Sequence, residues 1–139
     1  MKVVYTFVCG DLFHIGHLRA IQDARAMGDY LIVGVMTDEA MMSYKRKPVM
    51  TFDERLEIIQ NIKGVDEVVP QCHRDPTETI KLLKMQPDIL CHGDDWGEDF
   101  AGARYMRSIG KEARTFKYHS DVRSTTDIIK EIKRRKDIP

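Results

Sequence analysis

The chain has 139 residues, and its 22 Lys plus Arg balance 22 Asp plus Glu, so the net charge is zero. That length suits one domain over residues 1–139. Neutrality removes the basic face that nucleic-acid binding needs and any global attraction to an anionic membrane. Charged residues make up 32% and hydrophobic ones 42%, as in soluble globular proteins, and no apolar run is long enough to span a bilayer.

The N-terminal residues Met1–Tyr5 lead straight into a strand, without a signal-peptide pattern. Cys9, Cys72 and Cys91 are an odd set with no C-x-x-C pair, which suggests neither a disulfide framework nor a zinc site. A cytoplasmic location is expected, with Cys9 and Cys91 as small buried hydrophobes.

The apolar run Val3–Val8 reads as a buried strand. Asp11-Leu12-Phe13-His14-Ile15-Gly16-His17 follows it and leads into a helix, His17–Met27, that Gly28-Asp29 stops. A second strand is expected over Tyr30–Met36 and a helix over Thr37–Tyr44, ending in the basic cluster Tyr44-Lys45-Arg46-Lys47-Pro48. Thr51, with Glu54 three residues on, opens the helix Thr51–Asn61, which carries Arg55. Strand Glu67–Pro70 and helix Asp75–Met85 come next, then strand Ile89–Cys91 with His92-Gly93-Asp94-Asp95-Trp96 at its end. Helix Phe100–Ile109 and strand Ala113–Lys117 precede Arg123-Ser124-Thr125-Thr126, which opens a last amphipathic helix, Ser124–Lys136. Its basic end, Lys133–Lys136, reads as a solvated terminus that complements the helix dipole.

Short strands alternating with helices specify an α/β fold: a single Rossmann-like, doubly wound parallel sheet with helices on both faces. Such sheets bind ligands at the carboxyl ends of their strands. Four loops with phosphate-compatible chemistry fall at those ends. His14 and His17, three apart, share a helical face at a strand–helix junction, where free N–H groups and the helix dipole favour an anion. Gly16 between them permits close approach of a ligand. The basic cluster, the His92–Trp96 turn and the hydroxyls of Ser124, Thr125 and Thr126 supply the rest, although Ser124 also reads as a plain N-cap.

H-I-G-H after a strand, a basic loop before an Arg-bearing helix, H-G-D-D-W, and R-S-T-T before the last helix together resemble the cytidylyltransferases of the nucleotidyltransferase superfamily. The chain is most similar to the glycerol-3-phosphate cytidylyltransferases, and similar also to cytidylyltransferase domains acting on phosphonates. The resemblance implies the nucleotidylyltransferase fold and transfer of CMP from CTP to a small phosphorylated alcohol, with glycerol 3-phosphate the first expectation, and release of pyrophosphate. It assigns His14, His17, Lys45 and Arg123 to catalysis. It assigns Val8, Cys9, Gly16, His17, Gly93, Asp94, Ser124, Thr125 and Thr126 to the nucleotide. Asp11, Arg46, Arg55, Asp95, Trp96 and His119 go to the acceptor, with Arg55 alternatively supporting the basic loop. Mg²⁺ is the implied cofactor, carried with CTP and given no direct ligand. A homodimer is implied, with Met36, Met41, Met42 and Met50 as candidate interface residues that core packing explains equally.

The chain departs from the family pattern in places. Val8-Cys9-Gly10-Asp11 stands where the family has Gly-Thr-Phe-Asp. Tyr44 and Arg46 stand where glycerol-3-phosphate enzymes carry lysines, and His119–Arg123 replaces Arg-Thr-x-Gly-Ile. These changes keep open a phosphonate or other phospho-alcohol acceptor, an adenylyltransferase acting on a sugar phosphate or FMN, and a nucleotide-binding module without turnover.

Overall fold

A computed structural model describes all residues, 1–139. Its centre is a five-stranded sheet in the order β3-β2-β1-β4-β5, with every neighbouring pair parallel. The strands are β1 (Val3–Val8), β2 (Tyr30–Met36), β3 (Glu67–Gln71), β4 (Ile89–Gly93) and β5 (Glu112–Phe116). The helices are α1 (Ile15–Arg25), α2 (Asp38–Met42), α3 (Phe52–Gln60), α4 (Thr77–Lys81), α5 (Ala103–Ser108) and α6 (Thr125–Arg134). The expected doubly wound parallel sheet is therefore present. Its order reverses at β1, which pairs with β2 on one side and β4 on the other.

The period-two alternation of β1 and β2 sorts the core into two layers. Tyr5, Phe7, Ile32 and Met36 face α2, α4 and α5, where Met41, Ile80 and Met106 complete one buried cluster. Val4, Leu31, Val33 and Val35 face α1 and α3, closed by Ile21, Ala24 and Ile59. Each such side chain contributes roughly 1.5–3 kcal/mol by leaving water. Met36 and Met41 belong to this core, so packing, not an interface, accounts for them.

Boundaries moved where side chains intervene. The first helix starts at Ile15 because His14 caps it. Helix α4 stops at Lys81, short of Met85, because the Gln86 side-chain amide donates to the Ile80 and Leu83 carbonyls and closes the turn. Helix α5 waits until Ala103 because Gly102 takes a left-handed φ of +92°. Gly28 is not a left-handed helix stop, as α1 ends on right-handed Ala26. Gly28 is required for space instead, since a Cβ there would lie 2.6 Å from Val4 Cγ2 and 2.8 Å from the Lys2 carbonyl.

Candidate active site

At the carboxyl ends of β1 and β4, beside the point where strand order reverses, lies a cleft of about 310 Å³. The H-x-G-H motif forms one wall as a capping box made of imidazoles. His14 is the N-cap of α1, and its Nδ1 accepts the Gly16 N–H at 3.0 Å. His17, at N3, reaches back so that its Nδ1 accepts the His14 N–H at 3.1 Å. With both Nδ1 atoms accepting, each ring carries its proton on Nε2. The His14 Nε2–H donates to Thr125 Oγ1 at 3.0 Å, and the Thr125 hydroxyl donates to the Asp11 carbonyl at 3.3 Å. Gly16 serves this geometry: a Cβ there would lie 2.8 Å from His14 Cε1.

Burial keeps both imidazoles neutral. It lowers the His14 pKa and, aided by the charges of His14 and Lys45 against that of Asp11, pushes His17 down to about 3. The pair therefore offers N–H donors, not fixed cations. The loop before them turns through Gly10 at φ +71°, which a glycine takes freely, and is strained at Leu12, a non-glycine residue at φ +52°, a conformation that costs about 1–3 kcal/mol and concentrates at functional sites.

Asp11 and Arg55 stand behind the cleft, not in it. Asp11 is only 2% exposed, and its carboxylate accepts from Arg46 Nη1 (2.7 Å) and the amides of Val49 (3.0 Å) and Met50 (2.9 Å). Burial raises its pKa, but those three donors outweigh it and hold the group below the usual carboxylate range. Asp11 thus fastens the basic loop, and Arg46, spent on Asp11 and the Lys47 carbonyl, is not among the residues lining the cleft. Arg55 is fully buried and donates to the carbonyls of Cys9 (2.6 Å) and Met36 (2.7 Å) and to Asp38 (2.7 Å). It ties the ends of β1 and β2 together. No face of it is free for an acceptor, which leaves the supporting role for that arginine. The structure brings none of Asp11, Arg46 and Arg55 into the lining of the cleft.

The other sequence candidates gather more closely. Val8, Cys9, Gly16, Lys45, Gly93, Asp95, Trp96, His119, Arg123, Ser124, Thr125 and Thr126 all line the cleft. Asp94 does not. Its carboxylate turns away to accept the Tyr118 N–H at 2.9 Å, steadying the segment after β5. Ser124 is the N-cap of α6, with its Oγ accepting from the Asp127 N–H and its own N–H given to the Asp127 carboxylate. The first-turn amides of Thr125 and Thr126 are left for an anion. His119 Nε2 lies 2.6 Å from Asp23 of α1, and Arg19 pairs with Asp121, so the 119–121 segment is tied down onto α1.

Tyr44 and His92, which the sequence placed in site loops without a role of their own, line the cleft, and Arg74, outside every motif, adjoins it. His92 stacks on Trp96 at 4.2 Å between centroids. The Tyr44 hydroxyl lies 3.2 Å from Cys9 Sγ, and burial raises its pKa. Arg74 Cζ sits 4.5 Å from the Tyr44 ring centroid and 4.4 Å from that of Trp96. Their only sequence signal was position: His92 begins the H-G-D-D-W turn and Tyr44 opens the basic loop. Arg74 had none.

Cys9, Cys72 and Cys91 are all free thiols, and burial pushes Cys91 up to about 12, so it is an inert packing group. No three His, Cys, Asp or Glu side chains are grouped to hold a metal ion. Asp95 is the one carboxylate lining the cleft, a donor set that fits a Mg²⁺ held chiefly by substrate phosphates. No helix is long and apolar enough to cross a membrane.

Known proteins share both sequence and fold. Bifunctional protein HldE of Pseudomonas aeruginosa (strain LESB58) is 34% identical over 137 residues, covering 96% of this chain and 28% of that protein. Ethanolamine-phosphate cytidylyltransferase of Mus musculus is 49% identical over 88 residues, covering 63% of this chain and 21% of that protein. The chain therefore spans under a third of the length of these curated relatives. The crystal structure of a lipopolysaccharide core biosynthesis protein from Thermoplasma volcanium superposes with a TM-score of 0.70 at 25% identity, covering 85% of this chain and 96% of that one. A family model described as cytidylyltransferase-like matches residues 7–138. With its fold, its cleft and that match over nearly its whole length, the chain belongs to the cytidylyltransferase-like family.

Proposed function

We propose that this chain is a nucleotidyltransferase that moves CMP from CTP to the phosphate or phosphonate of a small acceptor and releases pyrophosphate. The observation that carries this reading is the pair of neutral imidazoles, each with Nδ1 held by a backbone amide, facing the start of α6 across one cleft. Family membership supports it. An acceptor phosphoryl oxygen attacks the α-phosphorus in line, and the bond from that phosphorus to the pyrophosphate oxygen breaks. The electron pair leaves with pyrophosphate, and no enzyme-bound covalent intermediate is needed.

The chain's share of the work is positioning and charge stabilisation. The His17 Nε2–H, and that of His14 when released from Thr125, donate to α- and β-phosphate oxygens as charge builds on them. The amides at the start of α6 hold the departing phosphates, with Thr126 the hydroxyl left uncommitted there. Lys45 and Arg123, both lining the cleft, add fixed positive charge. The aromatic wall excludes water. Mg²⁺ carried in with CTP would neutralise part of the triphosphate charge, with Asp95 the carboxylate in the cleft to meet it.

Glycerol 3-phosphate is one acceptor this reading allows. Phosphoethanolamine is equally in view, because the mouse relative is named for ethanolamine phosphate. ATP in place of CTP is the second reading, because the groups that the cleft brings together, the His14–His17 pair and the start of α6, are suited to phosphates, which CTP and ATP share. Assembly as a homodimer is part of the proposal, tested by sedimentation at micromolar concentration. Phosphorus NMR of reactions run with CTP or ATP and each acceptor tests the chemistry. A new pair of coupled diphosphate (or phosphonate–phosphate) signals appearing only with CTP supports the cytidylyl version, and appearance only with ATP replaces it.

A further inference from the structure

Arg74 follows β3 in a loop that the protein fixes firmly. The buried Gln71 side chain donates to the carbonyls of His73 (2.9 Å) and Arg74 (3.2 Å), while its Oε1 accepts the Tyr5 hydroxyl at 2.6 Å. From this anchored backbone the guanidinium of Arg74, an exposed residue, lies over both Tyr44 and Trp96, whose rings meet edge-on at 6.0 Å, and lines a hollow that adjoins the cleft and shares Trp96 with it. There it forms no ion pair and no hydrogen bond within the chain. The neighbouring carboxylates are engaged elsewhere: Asp99 with Arg104 and Arg107, Asp75 with Thr77, and Asp95 beside His92 at 3.8 Å.

A second cation shares the same ring. Lys45 Nζ lies 5.3 Å from the Tyr44 centroid, also without an ion pair. Both charges reach His92, where they add to burial in lowering its pKa. Two cations without ion pairs converge on the Tyr44 ring, Lys45 from within the cleft and Arg74 from the hollow beside it, a position that an anion relieves. Stacking leaves the in-plane N–H groups of a guanidinium free for oxygen acceptors. It also covers the two rings where an ammonium ligand would otherwise bind.

We propose that Arg74 is a specificity-determining residue, one that binds the anionic phosphoryl group of the acceptor beside Lys45 and covers Tyr44 and Trp96 against a quaternary ammonium headgroup. The inference rests on the reading of the cleft as a nucleotidyl-transfer site. It goes beyond that reading by naming the chemistry that selects the acceptor: small phosphoryl compounds are taken, and phosphocholine is refused.

The experiment has two readouts. Trp96 is the chain's only tryptophan, so its fluorescence reports on the hollow without turnover. Phosphoethanolamine should change that fluorescence saturably, and ethanolamine should not. Arg74→Ala should weaken phosphoethanolamine binding about 10- to 100-fold, the worth of a charge-assisted hydrogen bond, with Arg74→Lys in between. In steady-state kinetics Arg74→Ala should raise the acceptor KM by a similar factor, leave the CTP KM within about twofold, and improve phosphocholine relative to other acceptors. Equal binding by wild type and Arg74→Ala, or no response of wild type to phosphoethanolamine, overturns the inference. Turnover with an unchanged acceptor KM sinks the Arg74 role and leaves the transferase reading standing. Arg74-dependent binding without turnover by any nucleotide does the reverse.

Discussion

His14 and His17 lie 4.0 Å apart between ring centroids, and each spends its Nδ1 on a backbone N–H of the helix they begin. Helix capping and ligand recognition are thus one arrangement. The amides that α1 leaves unpaired select the tautomer, and the tautomer leaves Nε2–H as the donor. Removing the His17 ring should lower kcat by about 10²–10³, the range for losing one preorganised donor at a site of developing charge. His17→Asn, which keeps a donor, should fall less. Measuring kcat for both variants checks this.

Gly16→Ala should separate the fold from the site. The added methyl meets the His14 imidazole at 2.8 Å, and a side chain can swing aside where backbone cannot. The melting temperature should drop by a few degrees at most, an effect of about 1 kcal/mol. The nucleotide turnover rate should fall far more than that loss explains. Calorimetry beside steady-state kinetics decides it.

Acid should destabilise the protein through His17. Its pKa falls from an ordinary 6.5 to about 3 on folding, so between those values the unfolded chain binds the extra proton. The stabilisation is complete above pH 6.5 and is lost progressively as the pH falls towards 3. Urea midpoints measured from pH 8 to 4 should decline, and His17→Gln should flatten the slope. An equal slope in both proteins would contradict the assignment.

Arg55→Ala should cost about 3–5 kcal/mol, the usual result of breaking a buried charge network. It strips the carbonyls of Cys9 and Met36 of their shared donor at the ends of β1 and β2. Arg55→Lys should recover only part of this, since one ammonium cannot reproduce the forked geometry that reaches two carbonyls and Asp38. Thermal unfolding of both variants measures it.

Asp11→Asn should loosen the basic loop without emptying the cleft. One amide oxygen must replace a carboxylate that now accepts from Val49, Met50 and Arg46. A stability loss of about 1–3 kcal/mol follows from the weakened charged hydrogen bonds. The KM for the acceptor should rise, because Lys45 sits on the loop being released. Kinetics at saturating CTP reads the change.

The architecture was legible because β1 and β2 are continuous apolar runs and the helices carry strong start signals. Thr51 with Glu54 forms the capping box its spacing announced. Errors arose where one side chain overrides a local pattern. Gln86 ends α4 early, and nothing in the run Thr77–Met85 foretells a cap from beyond it. The site was legible as far as its loops. His14, His17 and the Ser124–Thr126 turn sit at strand ends, where topology alone places them in one cleft. The direction a side chain takes was not legible. Arg46 and Arg55 carry charges suited to phosphate, yet Arg46 pairs with Asp11, and Arg55 with buried carbonyls and Asp38. Arg74 lay outside every motif, and only the fold brings it over Tyr44 and Trp96.

The most direct test is pyrophosphate release by the wild-type protein and His17→Ala, with CTP and Mg²⁺, against glycerol 3-phosphate, phosphoethanolamine, phosphocholine, sugar phosphates and 2-aminoethyl- or 2-hydroxyethylphosphonate. The account predicts release that requires CTP and one phosphoryl acceptor and that collapses without the His17 imidazole. Release unaffected by His17→Ala, or folded protein that binds CTP and yields no pyrophosphate with any acceptor, would contradict it.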